Sequence, residues 1–117
     1  MISPYVFPGL EPKEVHKMGL RKKRNDEISE RIIRHICYDR NFDRPAFLSK
    51  IKTREIAIAR QIAIYIIRQK TDMSLKEIGV LFKRDHSTII YAIDTIKDLS
   101  SWDKVLRAEI SHLMELF

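Results

Sequence analysis

From residue 28 to the end of the chain, apolar side chains return every three or four positions, which leaves little choice of fold. Ile28, Ile32, Ile33 and Ile36 share one helical face, and Ile56, Ala59, Ile62, Ala63, Ile66 and Ile67 share another. Ile89, Ala92, Ile93 and Ile96 repeat the pattern, as do Leu106, Ile110, Leu113, Met114 and Phe117. Isoleucine is β-branched and common in strands. The run over 54–69 is nevertheless too long for a strand and is spaced three and four apart, so helix is the reading. The expectation is an all-α domain of five to six helices.

Local signals set the expected boundaries. A first helix over about 26–40 starts at Asn25 or Asp26 as N-cap. Pro45 lies in the connection that follows, which includes a short helical turn, and Thr53 caps the helix at 54–69. Ser74-Leu75-Lys76-Glu77 is a capping box opening a helix over about 75–82. A break at Lys83-Arg84 follows, then Asp85 caps a helix of about 86–98, and Ser100 with Asp103 opens the last one. Residues 1–12 hold three of the four prolines. The expected division is therefore an extended, basic arm at 1–24 and a helical domain at 25–117. Tyr5, Val6, Phe7 and Leu10 of the arm are placed to dock on the domain or on a partner. Trp102 and the methionines are expected in the core, and Cys37 as a half-buried thiol.

Several function classes drop out. Glycine occurs only at 9, 19 and 79, so neither a P-loop nor a dinucleotide fingerprint can be drawn, and no nucleotide or other cofactor is expected. A single cysteine excludes an internal disulfide framework and a multi-cysteine zinc site. His16, His35, His86 and His112 lie far apart without ligand spacing, so no metal is expected. The longest apolar candidate, 56–67, is interrupted by Arg60 and Gln61 and is shorter than the roughly 18 residues of a membrane span. The amino terminus lacks the layout of a secretion signal. A cytoplasmic, nucleoid-associated protein is the expectation.

The net charge is +6, concentrated in two places. Residues 13–24 carry six basic side chains against Glu14, and 50–70 carry six against Glu55. The remaining stretches are nearly neutral. Such clustering fits a polyanion-binding face, and it also fits an ordinary lysine-rich surface.

The stretch 75–94 has the length pattern of a helix-turn-helix: a short helix, a three-residue turn and a longer second helix. Gly79 supplies a small residue where the two helices approach. Lys83 stands where glycine is common, so a left-handed conformation there is strained. The second helix opens with Asp85-His86-Ser87-Thr88, which meets base edges in a helix-turn-helix. Asp can accept from cytosine N4, His can donate to guanine, and the Thr methyl can pack on thymine. The same residues also read as a capping Asp with solvated hydroxyls. A Ser-His-Asp catalytic reading fails, because contiguous residues at a helix start point apart and nothing forms an oxyanion site. No enzyme is expected.

Three pieces occur in order: Ala59-Arg60-Gln61 with Ala63 and Tyr65, Ser74-Leu75-x-Glu77-Ile78-Gly79, and Arg84-Asp85-His86-Ser87-Thr88 with Ala92. With them, residues 49–98 resemble the carboxy-terminal DNA-binding domain of the bacterial replication initiator DnaA, a fold of Trp-repressor-like type. The resemblance implies a helical domain that reads short asymmetric boxes in double-stranded DNA. It implies base reading by Asp85, His86, Ser87 and Thr88, and phosphate holding by Arg60, Gln61, Arg68 and the backbone at Leu75 and Lys76. It further implies that the loop carrying Lys50, Lys52 and Arg54 reaches the minor groove. Lys83 and Arg84 in the turn join the backbone contacts.

Two departures bear on the box. Lys52 stands where the family often has arginine, and Lys lacks the planar fork that suits a narrow groove. The turn before Arg84 is one residue shorter, with Lys83 in place of glycine. The family's ATP-driven oligomerisation domain is not in this sequence. The expectation is thus a stand-alone box-binding protein without ATPase activity, carried by a phage or other mobile element, that acts in replication control or transcription. The alternative is a protein-interaction adaptor that keeps the fold and binds a protein through the arm.

Overall fold

The periodic apolar faces become six helices, with no strand among the described residues. The computed structural model describes residues 12–50 and 53–117. The docking residues Tyr5, Val6, Phe7 and Leu10 and the loop residue Lys52 lie outside them. The helices are α1 (Pro12–Asp39), α2 (Arg44–Leu48), α3 (Arg54–Lys70), α4 (Leu75–Phe82), α5 (His86–Trp102) and α6 (Lys104–Leu116). Helix α3 sits at the centre and packs on each of the other five. Its Ala59, Ile62, Ala63, Ile64, Ile66 and Ile67 are all buried. Removing a side chain of this size from water contributes about 1.5–3 kcal/mol, which outweighs the slight helix penalty of β-branching.

The first helix departs most from expectation. It begins at Pro12, not near 26, so residues 12–24 are helical instead of an extended arm. Proline is favourable in a first helical turn, and the Lys, Arg, Leu and Met that follow are good helix formers. Asn25 is consequently an interior residue and not a cap. It is buried, and its Nδ2 donates to Asp72 Oδ1 at 2.6 Å. One turn earlier Arg21 donates from Nε to Asp72 Oδ2 at 2.7 Å and from Nη2 to the Asp72 carbonyl at 2.6 Å. Together they latch α1 onto the loop between α3 and α4.

At the other end, α5 runs on to Trp102 and does not stop near 98. Ser100 lies inside it, its hydroxyl donating to the Lys97 carbonyl, and Asp103 alone caps α6 by accepting from the Val105 and Leu106 amides. Trp102 falls off the stripe formed by Ile89, Ala92, Ile96 and Leu99. It is 65% exposed, where a core position was expected. Thr53 precedes α3 without a side-chain capping bond, and Cys37 is buried, its thiol pushed up by desolvation.

Among the described residues, three carboxyls are held below their ordinary range. Hydrogen bonds from Asn25 and then Arg21 act on Asp72, the Ser74 amide acts on Glu77, and the Thr88 amide acts on Asp85. A depressed folded pKa contributes stability above the unfolded value that is lost as pH falls through the folded one. Urea midpoints are therefore expected to be level above about pH 5 and to drop below about pH 4. Asp72→Asn should flatten that drop; an unchanged acid profile would contradict the latch.

Candidate nucleic-acid interface

Helix α4 begins with both halves of its capping box in place. Ser74 Oγ accepts from the Glu77 amide at 3.1 Å, and Glu77 Oε1 accepts from the Ser74 amide at 3.0 Å. Of the first-turn amides, those of Leu75 and Lys76 have no partner among the described residues. They point out of the positive end of the helix, where an anion is favoured. Arg68, exposed at the end of α3, stands beside them and donates to the Met73 carbonyl at 2.7 Å. Lys76 is exposed and Leu75 half-buried. A shallow recess lined by Arg68, Leu75, Ile90, Ile93 and Asp94 joins this edge to α5.

The turn into α5 is tight. Lys83 adopts φ 55° and ψ 43°, the left-handed conformation for which its sequence position was suspect. The Arg84 amide donates to the Gly79 carbonyl at 2.8 Å and the Lys83 amide to Val80 at 3.3 Å, the paired bonds of a Schellman ending. A Cβ at Gly79 would stand 2.6 Å from the Arg84 carbonyl oxygen and 3.7 Å from Ile89 Cγ1. The glycine therefore makes room chiefly for the turn's own backbone, and secondarily for the facing helix. Lys83→Gly removes the left-handed penalty and is expected to raise stability by about 0.5–1 kcal/mol. If the Lys83 ammonium holds a phosphate, the same change lowers DNA affinity, so the two readouts move in opposite directions.

Asp85 caps α5. Its Oδ1 accepts from the Thr88 amide at 3.0 Å and from the Ser87 hydroxyl at 2.8 Å. These bonds draw Asp85, Ser87 and Thr88 into one rigid turn. Asp85, His86, Ser87 and Thr88 are all exposed, while Ile89 immediately after them is fully buried. Tyr91, four residues beyond Ser87 on the helix, is 65% exposed and prolongs that open face; sequence reading passed over it.

The loop between α2 and α3 lies against the same side. Arg84 Nη2 donates to the Ser49 carbonyl at 2.7 Å and its Nη1 to Phe82 at 2.8 Å. Arg60 Nε donates to the Phe47 carbonyl at 2.9 Å, and the Phe47 and Phe82 rings meet at 6.3 Å. Arg60 is only 7% exposed, where an open phosphate-holding side chain was expected. Burial, and then the nearby Arg84 charge, lower its pKa. Its place on the buried side of α3 directs it to the loop carbonyl. Gln61 is half-buried beside it, and Lys50 and Arg54 are exposed. The first turn of α5, the loop at Lys50 and the open amides of α4 are thus the three parts of one candidate surface.

Among the described residues no group of three or more His, Cys, Asp or Glu side chains could hold a metal ion, and no helix is long and apolar enough to cross a membrane.

A short helix, a tight turn and an exposed, capped second helix make up a helix-turn-helix. The model of the bacterial DnaA protein helix-turn-helix family matches residues 29–96, more than half of the chain, and the protein belongs to that family. The chain is 38% identical over 88 residues to the chromosomal replication initiator protein DnaA of Thermoanaerobacter sp. (strain X514), covering 74% of this chain and 20% of that protein. It is 47% identical over 64 residues to the same-named protein of Tropheryma whipplei (strain Twist), covering 55% and 13%. Against that of Mesorhizobium japonicum (strain LMG 29417), identity is 36% over 116 residues, covering 98% and 21%. The chain thus spans about a fifth or less of the length of these relatives.

Proposed function

We propose that the protein binds short asymmetric boxes of the initiator type in duplex DNA, with the first turn of α5 in the major groove. The observation that carries this reading is the cap of α5: Asp85 stiffens a turn in which four short or hydrogen-bonding side chains face solvent. A preorganised, open turn is what base-edge contact needs, because little ordering remains to be done on binding. Asp85, His86, Ser87 and Thr88 read bases. Lys50, Lys52 and Arg54 lie along the adjacent minor groove and its backbone. The Leu75 and Lys76 amides, with Arg68, Gln61 and Lys83, hold phosphates.

Arg60 and Arg84 take a different part in this reading. Both donate to carbonyls next to the loop, at Phe47 and Ser49, and so set the loop against the recognition helix. Arg84→Ala is expected to weaken binding to the box severalfold while changing the log–log salt slope by well under one. A slope shallower by about one would assign Arg84 to a phosphate. Occupying or competing for such boxes suits control of replication or transcription. The glycine spacings that nucleotide-binding loops require do not occur in these 117 residues, so in this reading they hold the box without a bound nucleotide of their own.

The test is fluorescence anisotropy on two labelled duplexes, one with an initiator-type box and one with that box scrambled, at low and near-physiological salt. A box preference that persists at the higher salt is expected. Equal affinities that fade together with salt would sink the reading, since phosphate contacts alone behave so.

A further inference from the structure

We infer that the exposed face of α6 is a self-association surface, on which a second copy of this chain packs its own α6 in the antiparallel sense. The sequence of this helix sets up two faces. Leu106, Ile110 and Leu113 are buried in the core. On the opposite side Lys104, Ala108, Ser111 and Glu115 follow one another at i, i+4, i+7 and i+11, and all four are exposed. Val105, His112 and Leu116 run alongside them, also exposed. Val105 is 79% open to solvent, and Trp102, at the corner where α5 ends, is 65% open. Apolar side chains along one helix edge are surface that association would remove from water.

The charges say which partner fits. Besides His112, α6 carries Lys104, Arg107, Glu109 and Glu115. Two of these are used within the chain. Arg107 donates to the Ser100 carbonyl at 2.8 Å and to the Ser101 carbonyl at 2.7 Å, and Glu109 accepts from Arg40. The other two, Lys104 and Glu115, join no ion pair among the described residues. They also stand at the unfavourable ends of their own helix. A cation at the first position and an anion in the last turn both oppose the helix dipole, which favours the reverse.

A second α6 lying antiparallel gives that arrangement a use. Lys104 of each copy then meets Glu115 of the other about a two-fold axis midway along the helix. Such an axis demands a self-complementary patch, in which residue i meets j and j meets i. A parallel pairing would instead set Lys against Lys and Glu against Glu. Ala108 and Ser111, between the charged ends, are small enough for two helices to approach to about 8–10 Å. The recognition turn stays free, because the length of α5 from His86 to Trp102 separates it from the start of α6 by about 24 Å. With α6 only about 20 Å long, the contact falls at the small end of stable interfaces, and the dimer is weak and concentration-dependent.

Sedimentation velocity on the full chain, from micromolar to millimolar concentration at low salt, is the test, and it needs no DNA. The unaltered protein is expected to pass from monomer to dimer across that range. Lys104→Glu and Glu115→Lys should each weaken dimerisation about tenfold, because the axis turns two attractive pairs into two repulsive ones. Mixing the two variants should restore association, since every facing pair is then opposite in charge again. Both changes suit the helix dipole, so helical circular dichroism should be unchanged and a lost dimer is not a lost fold. A chain that stays monomeric at every concentration would overturn the inference. So would a dimer indifferent to both single variants, or two variants that stay apart when mixed.

Discussion

Gly79→Ala is expected to destabilise the domain by about 2–4 kcal/mol and to weaken box binding along with it. In an unconstrained helix interior the same change would stabilise by about 1 kcal/mol. Here the new methyl stands 2.6 Å from the carbonyl oxygen of Arg84, an atom of the backbone that no rotamer change can move aside. Relief requires the turn to open, which breaks the bonds from Arg84 to Gly79 and from Lys83 to Val80. Each contributes about 1 kcal/mol, and overpacking adds about 1–3 kcal/mol. Function follows because the displaced Arg84 also holds the Ser49 carbonyl, so the loop and the recognition helix lose their common anchor. Val80→Ala, one residue on and largely exposed, is the control and should change stability by about 0.5 kcal/mol or less. Urea unfolding followed by helical circular dichroism reads both. A Gly79→Ala protein as stable as the unaltered one would show that the close approach does not exist.

The helix-turn-helix was the most legible part of the chain, for a physical reason. Its signals are local: Ser74 and Glu77 bond each other's backbone, Asp85 bonds an amide three residues on, and α4 spans the residues that this chemistry marks. Lys83 shows the same legibility in a strained form, since a residue at that point has to take the left-handed conformation whatever its side chain. What local chemistry does not carry was misread. The helical start of α1 has no local signal, because its support is a carboxylate 51 residues beyond Arg21, at Asp72. The Arg21 and Asn25 spacing, one helical turn, was the available hint. Arg60 looked like a surface cation until α2 supplied a carbonyl for it, and Trp102 looked like a core residue until α5 ran past its expected end. The family resemblance points to a set of residues that the fold brings to one side of the molecule only in part, with Arg60 buried. Which arginines build that surface and which stand open on it depends on long-range packing.

His86→Ala and Thr88→Ala are each expected to lower discrimination between the box and its single-base variants by about 1–3 kcal/mol, roughly five- to 150-fold in relative affinity. Stability should change little in His86→Ala, and Thr88→Ala keeps the backbone amide that caps α5 while giving up the lesser side-chain bond to Asp85. That separation lets specificity be measured without unfolding the site. Each substitution should relax preference at one base pair, or two adjacent ones, and leave the salt slope in place, since no phosphate contact is removed. Asp85 needs a different design, because it both caps the helix and faces the groove. Asn caps as well as Asp, so Asp85→Asn preserves the turn while turning part of an acceptor into a donor. Asp85→Ala removes both, and should cost stability as well as specificity. If Asp85→Asn keeps the original preference, Asp85 is a cap and nothing more. If His86→Ala and Thr88→Ala also leave every single-base preference unchanged, the first turn of α5 does not read the box, and the exposed loop around Lys50 becomes the place to look for specificity.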